Sequence, residues 1–215
     1  MDIFFDTEFS GTEKTKGHRY LISIGCVSSE GHEFYAELTD TWDESLCSFF
    51  TIANVLPLLQ GGVFEMGLDE LAVRLKNWVE NLTEEQVTFR SDAPNFDWPF
   101  LQEIFGFIGW PRNLNRQCGT IFFEDELQQL SYDRALEDYW KSPVHAQLRH
   151  HALIDAKSLR FAWWHATASE MSEDKFQELI SSLMQIGLGD GGNGYRYWSG
   201  VVANLKKLRT LAVNK

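Results

Sequence analysis

The sequence predicts an α/β fold, a mixed five-stranded sheet flanked by helices, with a helical extension at the C-terminus. Three observations predict it. The chain opens on short apolar runs of strand length, two of which form a hairpin around Glu30-Gly31. From residue 68 onward, stretches with apolar residues at helical spacing alternate with strand-like stretches. After about residue 169 this alternation stops. Residues 1–168 are therefore expected to form one domain, and 169–215 an extension packed on or near it.

Each element has a local reason. Residues 2–8 are apolar and strand-like, and 9–18 are polar with Gly11 and Gly17, which predicts a loop. Residues 19–29 and 32–38 are the arms of the hairpin. A short helix is expected before Pro57. Leu68, Leu71, Leu75, Trp78, Val79 and Leu82 recur at helical spacing and predict a helix over 68–82. Residues 86–91 read as a strand, 97–108 as a helix and 114–122 as a last strand, followed by helices over 123–140 and 150–168. Beyond these, 172–187 has the pattern of an amphipathic helix capped by Ser172. The glycine-rich stretch 187–194 lacks the Lys-Ser/Thr of a phosphate-binding loop and reads as a connector. Residues 195–215 read as a basic, helix-like end.

Composition narrows the class of function. Apolar residues make up 44% and charged residues 23% of 215, the profile of a globular protein. No apolar run reaches the roughly 20 residues of a membrane helix, and the first residues lack the pattern of a signal peptide, so a cytoplasmic location is expected. Cys26, Cys47 and Cys118 suggest neither a disulfide framework nor a zinc site. The net charge of −12, from 19 basic and 31 acidic residues, argues against coating nucleic acid by bulk electrostatics. It leaves room for an enzyme that holds a short stretch of strand, with part of the acidity gathered around divalent metal.

Three segments carry chemistry. In Phe5-Asp6-Thr7-Glu8-Phe9, a strand would project Asp6 and Glu8 to one face, as two carboxylates in an apolar chain. Such a pair repels unless a proton or a cation intervenes, and oxygen ligands favour Mg²⁺ or Mn²⁺. Solvated acids at strand ends are also common. In the segment 91–101, Asp97 could face the sheet while Phe96, Phe100 and Leu101 fill the core; a capping role is the plainer alternative. In the segment 148–156, His150 stands at a helix start and Asp155 lies farther inside among Ala, Leu and Ile. An acid there is costly unless it is paired or metal-bound, and histidine suits a general base near neutral pH.

Together these segments resemble the DEDDh subclass of the DnaQ-like 3′→5′ exonucleases, whose fold is ribonuclease-H-like. Asp-Thr-Glu at 6–8, Phe96-Asp97, and His150 followed after four residues by Asp155 correspond to the family's three motifs in order. The resemblance covers about residues 1–168 and is nearest to the small stand-alone bacterial and phage exoribonucleases. Asp92 stands where the family commonly has Asn, so its role is open.

The resemblance implies that Asp6, Glu8, Asp97 and Asp155 hold two Mg²⁺ ions (Mn²⁺ substituting) and that His150 deprotonates the attacking water. A nucleic-acid 3′ end, single-stranded, is the implied partner. The product is a nucleoside 5′-monophosphate, with RNA slightly favoured over DNA. His151 is the rival base, one residue short of the family spacing. Phe9 and Trp98 could stack on a base or pack in the core, and Ser10 and Arg149 are candidate phosphate or sugar contacts. Trp163 and Trp164 are expected to pack. Lys206, Lys207 and Arg209 could reach upstream phosphates or form a solvated face. Related small enzymes are often dimers, and the eight tryptophans could supply such an interface. The competing expectation is a catalytically silent nucleic-acid-binding or interaction module on the same fold. A His-Asp phosphohydrolase is disfavoured because the sequence lacks that dipeptide, and an endonuclease because a histidine at this spacing is not expected there.

Overall fold

The computed structural model describes residues 1–168 and, beyond them, 174, 176–177, 180–181, 183–185, 199–203 and 205–206. The chain is α/β, built on a mixed six-stranded sheet flanked by helices. Strand β1 (Asp2–Phe9) pairs antiparallel with β2 (Leu21–Ser28), which pairs antiparallel with β3 (Glu33–Leu38). Strands β4 (Glu65–Met66), β5 (Thr88–Ser91) and β6 (Gly119–Thr120) add in parallel, giving the order β4-β3-β2-β1-β5-β6. The helices are α1 (Phe49–Asn54), α2 (Leu68–Leu82), α3 (Pro94–Ile108), α4 (Glu126–Trp140), α5 (Pro143–Ala146) and α6 (Ala152–Thr167).

The expected five strands become six. The additional β4 is two residues long, too short to show any alternation in sequence. The expected strand over 114–122 contracts to β6 and a single bridge between Val87 and Leu114. Helix α2 spans the residues its apolar spacing predicts, because Leu71, Ala72, Leu75 and Val79 form its buried stripe. Helix α3 starts three residues before the expected 97, with Pro94 in its first turn, where a missing N–H costs nothing.

Alternation along β1 sorts its side chains to two faces. Ile3 and Phe5 face α2 and α3 and join Phe89, Leu75, Leu101 and Phe105 in the main core. Phe5 meets Phe89 edge-on, with centroids 5.2 Å apart. Phe4, Asp6 and Glu8 point to the opposite face, which residues 152–160 of α6 cover. Gly25 of β2, the register partner of Asp6, makes that cover possible, since a β-carbon there would overlap the backbone of Ala152 and Leu153. The missing side chain lets the start of α6 lie directly on the sheet beside the acidic pair.

The chain divides into two compact units. One comprises Met1–Phe122 and Pro143–Arg160, and includes every motif residue. The other comprises Phe123–Ser142 and Phe161–Lys215, so the expected extension groups with α4 and the second half of α6. Within this second unit Trp163 packs on Phe123 at 4.8 Å, in line with its expected packing role. The expected Ser172 cap, the connector 187–194, Lys207 and Arg209 lie outside the described residues. Among the described residues, no helix is long and apolar enough to cross a membrane.

Candidate metal centre

The site is built from the ends of β1 and β5 and the starts of α3 and α6. On β1, Thr7 lies between Asp6 and Glu8 and points to the α3 side. Its hydroxyl donates to Asp97 Oδ1 at 2.6 Å, and the Ser91 hydroxyl at the end of β5 donates to Asp97 Oδ2. The Ala93 N–H in turn donates to Ser91 Oγ at 2.9 Å. Asp97, in the first turn of α3, is thereby held with 2% of its surface exposed. It is not the helix cap, because Ala93 occupies that position.

On the other face, Glu8, His150 and Asp155 each bring one ligand atom to within 4.8 Å of the other two. Asp155 Oδ2 accepts the backbone N–H of His150 at 3.0 Å. Asp155 Oδ1 is buried and has no hydrogen-bond partner among the described residues. A buried carboxylate oxygen left unbonded is costly unless something else satisfies it. His150 has φ of 75°, the left-handed region that side chains rarely adopt, and its ring meets Phe50 edge-on at 4.8 Å.

The carboxyls share one field. Burial pushes Asp6 well above its usual range, and the charges of Asp97, Glu8, Asp155 and Asp92 add to that. Glu8 is pushed up to about 9 by burial and then by Asp155 and Asp97. Asp155 is pushed up to about 7 by burial, against the His150 N–H and the Arg149 guanidinium, which pull it down. Asp97 rises to about 6 through burial, with the Ser91 and Thr7 hydroxyls opposing. Asp92 acts on Asp6, Asp97 and Asp155 through its charge. Groups arranged this way either retain protons or take up cationic charge. His150 is lowered by burial and by Arg149, which favours the neutral imidazole.

The expected ligands Asp6, Glu8, Asp97 and Asp155 influence one another through their charges, but among the described residues the group within 4.8 Å is Glu8, His150 and Asp155, without Asp6 and Asp97. His151 is buried elsewhere. It stacks on Tyr35 at 4.4 Å, its Nε2 lies 2.7 Å from Gln60 Nε2, and its carbonyl accepts the Ile154 and Asp155 N–H groups at the start of α6.

Three expectations are corrected. Trp98 packs in the core against Phe5, Phe89 and Trp110, because a neighbour on a helix points about 100° away from Asp97. Ser10 is fully buried, and its hydroxyl is used by the loop, accepting from Tyr20 N–H and donating to the Gly11 carbonyl. Phe96 is 54% exposed and outside the core, stacked parallel to half-buried Phe9 at 6.4 Å. Phe9 also touches Phe100. Arg149 is exposed, and its charge reaches both His150 and Asp155. Reading the sequence missed Thr7, Ser91, Gly25 and Phe50. Only Thr7 carried a signal, its place inside the first motif.

Compared with protein-family models and with curated proteins, the chain matches none.

Proposed function

We propose that this chain is a metal-dependent 3′→5′ exonuclease of ribonuclease-H-like type, acting on the 3′ end of single-stranded nucleic acid, RNA in preference to DNA. The observation that carries it is the meeting of Glu8, His150 and Asp155 within 4.8 Å, with one Asp155 oxygen buried and unpartnered. The antiparallel β1–β2–β3 hairpins extended in parallel by β5 and β6 fit the fold that the resemblance implies.

The donor set suits a hard divalent cation: four carboxylates raised by burial, with only the exposed Arg149 easing Asp155, and an Asp155 oxygen without a partner among the described residues. Asp6, Glu8, Asp97 and Asp155 would hold Mg²⁺ or Mn²⁺. When bound, a pair of such ions offsets phosphate charge and acidifies water. The chain's own residues do the rest. His150, whose neutral form burial favours, accepts a proton from water as its oxygen bonds to the terminal phosphorus. The P–O3′ bond breaks, the 3′ oxygen of the preceding nucleotide leaves and takes a proton from solvent water, and a nucleoside 5′-monophosphate departs. Thr7 and Ser91 keep Asp97 oriented throughout.

The test is a product assay on 5′-labelled and 3′-labelled RNA and DNA, single- and double-stranded, with Mg²⁺, Mn²⁺ or EDTA. Stepwise shortening from the 3′ end is expected, abolished by EDTA and by Asp6→Ala. Internal fragments, or hydrolysis that survives EDTA, would overturn the proposal.

A further inference from the structure

The segments that carry Glu8 and Asp97 are joined by a side chain outside all three motifs. The β1–β2 register slips between Glu8 and Phe9, so the ladder is irregular directly after Glu8. On α3, Pro99 has no N–H to offer the carbonyl four residues before it, which belongs to Asn95. Arg19 serves both places. Its guanidinium donates to the Phe96 carbonyl at 3.0 Å and to the Asn95 carbonyl at 3.5 Å. The same group lies over the rings of Phe9, Phe96 and Phe100, at 5.4, 5.1 and 5.6 Å from their centroids. Phe9 directly follows Glu8, and Phe96 directly precedes Asp97.

We infer that Arg19 is a positioning residue for the metal centre, clamping the residue after Glu8 to the residue before Asp97 so that both carboxylates keep their relative placement. The inference rests on the nuclease proposal for its consequence in catalysis, though not for its consequence in metal binding. A planar cation suits the task, because one face can lie on aromatic rings while its edge donates to two carbonyls in fixed directions. Lysine would keep the charge and lose the fork. Outer groups that orient ligands commonly change metal affinity by about 10–100-fold when removed.

The experiment compares the full chain with Arg19→Met, Arg19→Lys and, as a stability control in the α3 core, Ile104→Val. Mn²⁺ affinity is measured by calorimetry without substrate, alongside thermal unfolding and the kcat and KM of oligonucleotide hydrolysis. Arg19→Met is expected to weaken Mn²⁺ binding about tenfold and to lower kcat, with KM within about threefold. Arg19→Lys should fall between it and the wild type. Ile104→Val should lower the melting temperature and leave Mn²⁺ affinity unchanged. Unchanged Mn²⁺ affinity in Arg19→Met would overturn the inference, as would an effect confined to KM, which would make Arg19 a substrate contact instead. An equal loss of Mn²⁺ affinity in Ile104→Val would overturn it too, by tracing the effect to general stability. A wild-type protein that binds Mn²⁺ but hydrolyses nothing would refute the nuclease proposal and leave the clamp to be judged on affinity alone. One that neither binds Mn²⁺ nor hydrolyses would refute both.

Discussion

Replacing Asp155 by Asn should make the metal-free protein more stable at alkaline pH while abolishing its response to metal. The Asp155 carboxyl is pushed up to about 7 from an ordinary 3.8. A carboxyl raised in this way holds its proton more tightly in the folded chain than in the unfolded one. Its contribution is therefore complete below pH 3.8 and drains away as pH climbs through 7. Each pH unit between the two values corresponds to about 1.4 kcal/mol, so the group withdraws roughly 4 kcal/mol by pH 8. In a protein of this size about 1 kcal/mol moves the melting temperature by about 2–4 °C, which makes the shift roughly 8–16 °C. The amide of Asn cannot ionise, yet it can still accept the His150 N–H. The assay is thermal unfolding of both proteins in EDTA from pH 4.5 to 8.5, repeated with 5 mM Mn²⁺. Other acids titrate in the same range, so the informative quantity is the difference between the two proteins. It should grow with pH in EDTA and shrink or reverse when Mn²⁺ is present, because the cation stabilises only the carboxylate form. Parallel curves in EDTA, or equal gains from Mn²⁺, would refute the electrostatic account of the cluster.

His150→Ala should lower kcat by about 10²–10⁴-fold while preserving the rise in melting temperature on adding Mn²⁺; loss of that rise would make His150 a ligand instead of a base. Because burial and Arg149 lower the His150 pKa, the wild-type rate should fall only as pH drops below 6.5, a limb that a kcat–pH profile in saturating metal would show missing in this variant. Metal binding at pH 7 should release protons from Glu8 and Asp155, seen as calorimetric heats that change with the ionisation enthalpy of the buffer. Gly25→Ala should cost about 1–3 kcal/mol in chemical denaturation and depress Mn²⁺ affinity, since the new methyl group displaces the start of α6. Thr7→Val, matched in shape, removes a donor from buried Asp97 and should destabilise by about 1–3 kcal/mol, more at pH 8 than at pH 5 because the lost hydrogen bond had favoured the ionised form.

The sequence showed some features well and hid others for physical reasons. Helix α2 was legible because Leu71, Leu75 and Val79 repeat on one face with acids in its first turn. The hairpin of β2 and β3 was legible from its turn at Glu30-Gly31. Strands β4 and β6, of two residues each, leave no periodic trace. The start of α3 was misread because Ala93 offers no capping side chain and Pro94 looks like a breaker. Among the candidate ligands, Asp6 and Glu8 could be placed on one face by period two alone. That Asp97 needs Thr7 and Ser91, and that Gly25 clears the way for α6, are contacts between segments distant in sequence, and no local pattern encodes them. In sequence Phe96 reads as a core residue, and Trp98 as either a core or a base-stacking one. Aromatic character does not say which side of a helix a ring occupies, and here the buried ring is Trp98 while Phe96 lies against Phe9.

The hydrogen bond from the His150 amide to Asp155 closes a six-residue loop in which the candidate base is latched by the candidate ligand. That latch is one of the contacts that hold the unfavourable backbone twist at His150. Because the donor is the His150 backbone amide, changing the Asp155 carboxylate should disturb His150, whereas a side-chain change at His150 leaves the latch in place. Anyone grafting this centre onto another scaffold would have to transplant 150–155 as one piece, so that the carboxylate that receives the His150 amide travels with it.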